Sequence, residues 1–148
     1  KNRECGCGAK AGVHYACDFR YDSQNKKWLP VFSTGFVLTE GIMKGDLTHS
    51  LQKNLPVISV PGVHAISHLS VELQRLKEFG VDTILLCYDM DYKTNKYVEK
   101  AIKRIGKMVS GVGFKGEQMI WDPAYKGIDD WFLARKKRRD NASEKKKG

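Results

Sequence analysis

Leu85-Leu-Cys-Tyr-Asp-Met-Asp91 is a short apolar run that ends in two aspartates spaced two residues apart. A run of this length and character predicts a buried β-strand. Successive side chains of a strand point to opposite faces, so we expect Asp89 and Asp91 to lie on one side just past its end. Two adjacent carboxylates repel each other unless a cation lies between them, and carboxylate oxygens are ligands that Mg²⁺ and Mn²⁺ prefer. The stretch therefore predicts a strand that ends at a divalent-metal site.

The segments around this run alternate between strand-like and helix-like patterns. Strands are predicted at 36–39, 57–60, 83–88 and 114–121, and helices after Gly41 and at 65–79, 95–109 and 131–134. Such alternation predicts an α/β fold with a mostly parallel sheet and helices on both faces. The functional crevice of such a sheet lies beyond the carboxyl ends of its strands. We therefore expect Glu40, at the end of one strand, to approach Asp89 and Asp91.

Three of these helices carry apolar residues at helical spacing, which predicts a core-facing stripe on each. The predicted stripes are Met43, Leu47 and Leu51; Ile66, Leu69, Leu73 and Leu76; and Val98, Ala101, Ile102, Ile105 and Val109. The third helix also carries lysines on its opposite side, at positions 96, 100, 103 and 107. A basic stripe of this kind is typical of a solvated face, and it is also suited to flank a phosphate backbone.

The first 30 residues differ from the rest of the chain. Residues 1–12 are rich in Gly, Lys and Cys and have no periodicity, which predicts a loop. Residues 13–19 predict a strand, and the polar residues 22–27 predict a turn. Together they predict an N-terminal hairpin that lies against the edge of the sheet.

The cysteines near the N-terminus raise the question of a zinc site. Cys5, Cys7, His14 and Cys17 are four residues of the types that bind zinc, but the C-x-x-C spacing of most such sites is missing. We therefore expect free thiols in a reducing compartment rather than bound Zn²⁺. Cys87, within the apolar run, is expected to be a buried reduced thiol.

The positive charge is concentrated at the C-terminal end. The chain has 148 residues and a formal net charge of +9. Residues 135–148 hold eight Lys or Arg against two acidic residues, which accounts for +6 of that charge. Such a basic tail favours nucleic acid without reading its sequence, and it is equally typical of a solvated linker. We divide the chain into an N-terminal extension at 1–30, one domain at 31–134 and a basic tail or linker at 135–148.

Length and hydropathy limit the class of protein. No apolar run approaches the roughly 20 residues of a membrane span, and no signal-peptide pattern opens the chain. We expect a cytoplasmic protein with no membrane partner. The chain starts with Lys1 rather than Met, and we expect it to be a piece of a longer polypeptide.

Three motifs, in this order, resemble a known family. Thr39-Glu-Gly-Ile-Met43, Tyr88-Asp-Met-Asp91 and Lys126-Gly-Ile-Asp-Asp130 resemble motifs of the Toprim domain of bacterial primases, topoisomerases and related nucleases. The chain is still more similar to Toprim-like domains in replication proteins of phages, plasmids and conjugative elements. Their Glu-Gly-x-x-Lys-x-Asp pattern corresponds to Glu40, Gly41, Lys44 and Asp46, and their Pro-Gly-Val to residues 61–63. The resemblance covers residues 31–134. Bacterial primases have an aspartate where this chain has Lys44.

The resemblance implies a Rossmann-like Toprim fold and phosphoryl transfer on nucleic acid that depends on Mg²⁺ or Mn²⁺. It implies that Asp89 and Asp91 hold the metal, and that Glu40 completes the metal shell or acts as general acid or base. Asp129 is expected to bind a second metal or to cap the last helix. Lys44, counted with these catalytic residues, is expected to reach a phosphate or to pair with Asp46 or Asp89.

The same resemblance implies a primase-type nucleotidyltransferase that belongs to a larger replication protein. Its expected partners are a DNA or RNA template, nucleoside triphosphates, and helicase and zinc-binding domains of the full-length protein. The residues expected to bind nucleic acid are all basic: Lys44, Lys96, Lys100, Lys126, Arg135, Lys136 and Lys137.

Other functions remain open at this stage. A Toprim nuclease has the same metal site and cuts DNA without nucleotides. A degenerate module without catalytic activity holds nucleic acid or neighbouring domains through the basic tail. A phosphoacceptor receiver domain needs its acidic pair after the first strand, and the order of Glu40 and then Asp89 and Asp91 argues against it.

Overall fold

The computed structural model describes residues 12–31, 35–90 and 94–144. Cys5, Cys7, Asp91 and nearly all of the predicted loop at 1–12 lie outside these residues. In chain order the elements are β1 (His14–Ala16), β2 (Phe19–Asp22), β3 (Lys27–Pro30), β4 (Gly35–Glu40), α1 (Ile42–Leu51), β5 (Val57–Val60), α2 (Leu69–Glu78), β6 (Thr83–Leu86), α3 (Lys96–Gly111), β7 (Lys115–Gln118) and α4 (Ile128–Glu144).

The central sheet has five strands in the order β1-β5-β4-β6-β7. Strands β5, β4, β6 and β7 run parallel, and β1 pairs antiparallel with β5 at the edge. Consecutive strands from β4 to β7 are each joined through a helix, as the geometry of a crossover connection requires. The prediction of an α/β fold with a mostly parallel sheet is confirmed.

Helices cover both faces of this sheet, because the central strands carry apolar side chains on both faces. In β4, Phe36 and Leu38 join a core cluster with the buried residues of α2 and α3. Val37, between them, joins a second cluster with Ile128 and Phe132 of α4. Leu51 of α1 packs against this second cluster. We refer to the two sides as the α2/α3 face and the α1/α4 face.

The predicted stripe of α3 is confirmed, with Val98 partly buried against the core, and so are the residues of the α2 stripe from Leu69 onward. The predicted start of α2 at residue 65 is wrong, because the helix begins at Leu69 and Ile66 is buried in the turn before it. Asn95 begins α3 by accepting hydrogen bonds from the backbone N–H groups of Tyr97 and Val98. The predicted strand at 114–121 is shorter in the structure, where β7 is an edge strand with exposed side chains.

The prediction for α1 is wrong for two of its three residues. Met43 is 80% exposed and Leu47 is 41% exposed, whereas the buried residues of the helix are Gly45 and Thr48. A Cβ atom on Gly45 would overlap Oγ of Ser59 in β5. The helix thus approaches the sheet through its small side chains, and close backbone contact replaces a large apolar stripe.

The predicted end of the last helix at residue 134 is also wrong, because α4 continues to Glu144. Residues 135–139 are Arg-Lys-Lys-Arg-Arg, and lysine and arginine have high helix propensity. All ten residues of 135–144 are exposed. A basic helix therefore occupies part of the segment predicted as a tail or linker.

The N-terminal residues form a hairpin, as predicted, but with one more strand. β2 and β3 pair antiparallel in a separate two-stranded sheet, around the predicted turn. β1 is the strand that lies against the edge of the central sheet. Among residues 12–31, 35–90 and 94–144, no helix combines the length and apolar character that a membrane crossing requires.

Candidate functional site

The candidate site lies where β4 and β6 end. Thr39 Oγ1 donates a 2.8 Å hydrogen bond to the carbonyl of Cys87, which ties the two strand ends together. The chain then leaves β4 into α1 on one face and continues from β6 toward α3 on the other. Gly41 makes the first turn at a φ of +83°, a conformation that side chains other than glycine rarely adopt. Adjacent strands whose connections diverge in this way leave a crevice between them.

Asp89 is the central acidic residue of this crevice. It is only 7% exposed. Lys44, in the first turns of α1, contacts its Oδ1, and Lys126 Nζ lies 3.7 Å from its Oδ2. Of the alternatives predicted for Lys44, the structure shows the pairing with Asp89. A carboxylate removed from water needs such compensation, because an unpaired buried charge is strongly destabilising.

The loop before α4 is fixed beside Asp89 by backbone contacts. The N–H of Met90 donates to the carbonyl of Lys126 at 3.0 Å, and the carbonyl of Gly127 accepts from Trp131 at 3.2 Å. Gly127 is buried, and Lys44 Cε lies 3.3 Å from where its Cβ would be. The absence of a side chain at Gly127 therefore leaves room for the lysine.

Asp129 and Asp130 begin α4 in different surroundings. Asp130 accepts a 3.4 Å hydrogen bond from the N–H of Gly127, so it is the one that caps the helix. Asp129 Oδ1 is buried, and the described residues offer it no hydrogen-bond partner. Burial, reinforced by the negative charge of Asp130, raises the pKa of Asp129, and the positive charge of Lys44 opposes this rise. Asp129 thus carries an unsatisfied oxygen close to Lys44.

Glu40 lies beside Tyr88, on the side of β4 that Phe36 and Leu38 occupy. The hydroxyl of Tyr88 is buried and has no partner among the described residues. Burial is the main reason that the pKa of Tyr88 is raised, and the negative charge of Glu40 adds to the effect. Sequence reasoning did not single out Tyr88. Tyr88 directly precedes Asp89 at a strand end, so alternation puts its side chain on the opposite side of the sheet. This position is the signal that could have identified it.

The described residues bring Lys44, Asp89, Lys126 and Asp129 together. They contain no group of three or more His, Cys, Asp or Glu side chains placed to hold a metal ion. Asp91, the predicted third acid, lies outside them. The buried carboxylate of Asp89 and the unsatisfied Oδ1 of Asp129 are the hard oxygen donors that suit Mg²⁺. These oxygen donors therefore fit a divalent metal ion. In the structure, the ammonium group of Lys44 is the positive charge in contact with Asp89.

The other residues predicted to bind nucleic acid lie on α3 and α4, and Lys137 lines a shallow pocket together with Lys126 and Asp130. Lys96 and Lys100 are exposed on α3, and Arg135, Lys136 and Lys137 are exposed on α4. The guanidinium of Arg135 lies 4.7 Å from the ring centre of Trp131. The basic residues of α4 therefore belong to the same helix as Asp129, on its C-terminal side.

Two residues discussed for other roles meet at the edge of the sheet. His14 Nε2 lies 2.6 Å from Asp46 Oδ1, so Asp46 contacts β1. Among the described residues, Cys17 and Cys87 form no disulfide, and burial raises the pKa of Cys17 to about 11. The expectation that Cys5, Cys7, His14 and Cys17 do not bind zinc stays a prediction, because Cys5 and Cys7 lie outside the described residues.

Comparison with known families identifies the chain at the level of a domain family. The profile described as "Domain of unknown function (DUF3854)" matches residues 27–139. The chain belongs to this family. No curated protein matches the chain in sequence. The match begins in the β2–β3 hairpin and ends within the basic part of α4, so the DUF3854 domain contains the whole candidate site.

Two solved structures are similar to this DUF3854 chain, each at 18% identity over 85% of its length. One is the primase fragment of the bacteriophage T7 primase-helicase protein, with a TM-score of 0.49 and 59% of that fragment covered. The other is the structure of bacteriophage T7 lagging-strand DNA polymerase interacting with primase domains bound to an RNA/DNA hybrid and dTTP. Its TM-score is 0.46, and 73% of the matched chain is covered. The chain thus spans less than two thirds of the T7 primase fragment.

Proposed function

We propose that this domain is a Toprim-type module that carries out metal-dependent phosphoryl or nucleotidyl transfer on nucleic acid. We place it in a primase-like replication protein of a mobile element such as a phage or plasmid. The observation that carries the proposal is the position of Asp89. It is buried at the carboxyl end of β6, and it is paired with lysines from the two other segments that resemble Toprim motifs.

The proposal gives each segment a role. Asp89 and Asp91 would hold Mg²⁺ or Mn²⁺, with Asp129 and Glu40 as the further acidic residues proposed for the metal shell. The metal, when bound, would neutralise charge that develops on the transferred phosphate. Lys44 and Lys126 place positive charge beside Asp89, where they would attract and orient a phosphate group. Glu40, partly exposed beside Tyr88, is the group proposed to move a proton.

The proposed partners follow from the distribution of charge. The basic residues of α4 and the lysine side of α3 would contact the phosphate backbone of a DNA or RNA template without reading its sequence. Nucleoside triphosphates would enter the crevice as substrates. Helicase and zinc-binding domains would complete the full-length replication protein.

The test is primer synthesis on a single-stranded DNA template with nucleoside triphosphates and Mg²⁺, assayed with Asp89→Asn and Glu40→Gln. We expect each variant to lose activity by a factor of about 100 or more, the lower range for loss of an acid–base group. Glu117→Gln, on the exposed strand β7, is the control and should keep the activity of the parent chain. Thermal melting of all three variants shows whether a loss is due to unfolding.

A second function is supported by a separate observation. Five successive basic residues, 135–139, are exposed on one helix, which suits a module that holds nucleic acid without catalysis. Salt-dependent binding of nucleic acid by a chain that shows no metal-dependent synthesis or cleavage would establish this function and refute the catalytic one. Cleavage of DNA without nucleotides, abolished by Asp89→Asn, would instead identify a nuclease.

A further inference from the structure

We propose that Lys44 is an exchangeable counter-ion of Asp89. In the metal-free domain it neutralises the buried carboxylate, and when a divalent cation binds Asp89 the Lys44 ammonium moves to Asp129. The inference rests on the proposed function, because it concerns the same metal. It differs from that function in assigning Asp129 to the lysine rather than to the metal.

The first step concerns the charge of Asp89. Its side chain is 9% exposed, and that of Lys44 is 18% exposed, so their contact is shielded from water. Lys126 is 3.7 Å away and its side chain is 66% exposed. Lys44 is therefore the closer and more buried partner, and it provides most of the compensation for the buried carboxylate.

The second step is the competition. An ammonium in contact with a carboxylate oxygen occupies the position that a metal ion takes when it binds the same oxygen. Two cations at one oxygen repel each other, and the repulsion is stronger where water is excluded. A divalent cation that binds Oδ1 of Asp89 therefore displaces Lys44, and the cost of breaking this ion pair lowers the affinity for the metal.

The third step is the destination of the displaced ammonium. Asp129 Oδ1 is buried without a hydrogen-bond partner among the described residues, and the pKa of Asp129 is raised by burial and by Asp130. A Cβ atom at Gly127 would overlap Asp129 Oδ1 and would lie 3.3 Å from Lys44 Cε, so the carboxylate and the lysine chain are neighbours at this glycine. A short movement of the lysine toward the carboxylate gives Asp129 Oδ1 the hydrogen-bond donor that the described residues do not supply.

The experiment compares the parent chain with Lys44→Met by Mn²⁺ titration, with water proton relaxation as the readout, and by thermal melting in EDTA. We expect Lys44→Met to melt at a lower temperature in EDTA because Asp89 loses its closest counter-ion. We expect Mn²⁺ to restore its stability and to bind at least about tenfold more tightly than it binds the parent chain, since 1.4 kcal/mol of released ion-pair energy corresponds to a tenfold change. Lys126→Met is the matched control and should change the affinity much less.

Asp129→Asn tests the destination. In the parent background we expect this substitution to weaken Mn²⁺ binding, because the displaced Lys44 loses its negatively charged partner. In the Lys44→Met background it should leave Mn²⁺ binding unchanged. A loss of affinity in both backgrounds would show that Asp129 is a metal ligand and would overturn this assignment.

The remaining outcomes separate the inference from the proposed function. Equal Mn²⁺ affinity of the parent chain and Lys44→Met would refute the exchange while leaving the metal site intact. Absence of Mn²⁺ binding in both would refute the exchange and the metal-dependent function together. Lys44→Gln, which keeps a hydrogen-bond donor for Asp89, replaces Lys44→Met if that variant does not fold.

Discussion

The α2/α3 face of the sheet buries apolar side chains, whereas the α1/α4 face also buries polar ones. Among the described residues, four buried residues are polar or charged: Thr39, Thr48, Ser59 and Asp89. Thr39 and Ser59 alternate with the apolar residues that face α2 and α3, Thr48 belongs to α1, and Asp89 contacts α1 through Lys44. All four therefore lie on the α1/α4 face.

This difference separates stability from chemistry within one small domain. Burial of apolar area supplies the favourable free energy of folding, and the α2/α3 face has the larger continuous core cluster. Buried polar groups contribute less and are costly when unpaired. Three buried side-chain atoms of the α1/α4 face have no hydrogen-bond partner among the described residues, namely Thr48 Oγ1, Ser59 Oγ and Asp129 Oδ1, whereas the α2/α3 face has one such atom, the hydroxyl oxygen of Tyr88. The α1/α4 face thus gives up some stability where the candidate site is built.

The two faces can be compared by substitutions that change the free energy of unfolding. The largest change is expected at Leu73 of α2, which is fully buried. Leu73→Ala should reduce the free energy of unfolding by about 2–5 kcal/mol, because it removes buried methyl groups and leaves a cavity. Val71→Ala, on the same helix at a residue that is 47% exposed, should change it by less than about 0.5 kcal/mol. Urea denaturation measures both. A shift in Mn²⁺ affinity of folded Leu73→Ala would show that the two faces are not independent.

A smaller effect is expected where α1 approaches β5. Gly45→Ala should reduce the free energy of unfolding by about 1–3 kcal/mol, because the new methyl group overlaps Ser59 Oγ. Gly106→Ala, in α3, meets only an ordinary 3.7 Å contact with Leu86 and should stabilise the domain by about 0.5–1 kcal/mol.

Combining Gly45→Ala with Ser59→Ala identifies the cause. Removal of the serine hydroxyl should recover much of the loss, so that the two substitutions are not additive. Additive losses would mean that the overlap with Ser59 is not what keeps position 45 small.

The smallest effect is expected from Asp129→Asn, when the free energy of unfolding is measured as a function of pH. The pKa of Asp129 in the folded state is raised above its ordinary value of 3.8. The folded protein therefore holds the proton more tightly than the unfolded chain does, and stability decreases as pH rises from that value through the folded pKa. Asparagine does not ionise, so it avoids this loss. The stability of Asp129→Asn relative to the parent chain should therefore increase over this pH range and stay constant at higher pH.

Melting curves at a series of pH values test this prediction, with Asp130→Ala as the neighbouring control. Asp130 caps α4 by accepting a hydrogen bond from the N–H of Gly127, so its replacement by alanine should reduce stability near neutral pH. A stability difference for Asp129→Asn that falls as pH rises would contradict the assigned direction of the pKa shift.

The sequence predicted the elements that follow simple periodicity. The prediction of the buried face of α3 was correct, because its apolar residues recur at helical spacing. The charged residues on the opposite side leave only one face of the helix that can be buried. In α1 the same reasoning failed for Met43 and Leu47, because the helix packs through Gly45 and Thr48 instead. Apolar spacing shows which residues can be buried, and the distance to the neighbouring strand decides which of them are.

The site was predictable only in part for a related reason. Its position at the ends of β4 and β6 follows from strand order, and Lys44 beside Asp89 was one of the foreseen pairs. The fixed position of Lys126 could not be foreseen, because it depends on a backbone hydrogen bond between Met90 and a loop 36 residues later in the chain. The unsatisfied oxygen of Asp129 depends in the same way on tertiary packing.

The continuity of α4 has a mechanical consequence. Its first turns are held by buried Ile128 and Phe132, while residues 135–144 are exposed. Within the exposed part, Arg138 donates a 3.1 Å hydrogen bond to the hydroxyl of Tyr125, in the loop that precedes the helix. The helix is therefore a lever that is held by its apolar first turns and bonded to this loop further along. With a rise of about 1.5 Å per residue, Arg139 lies about 15 Å along the axis from Asp129. A pull on the basic end would act on Asp129 through the helix and on Lys126 through Tyr125.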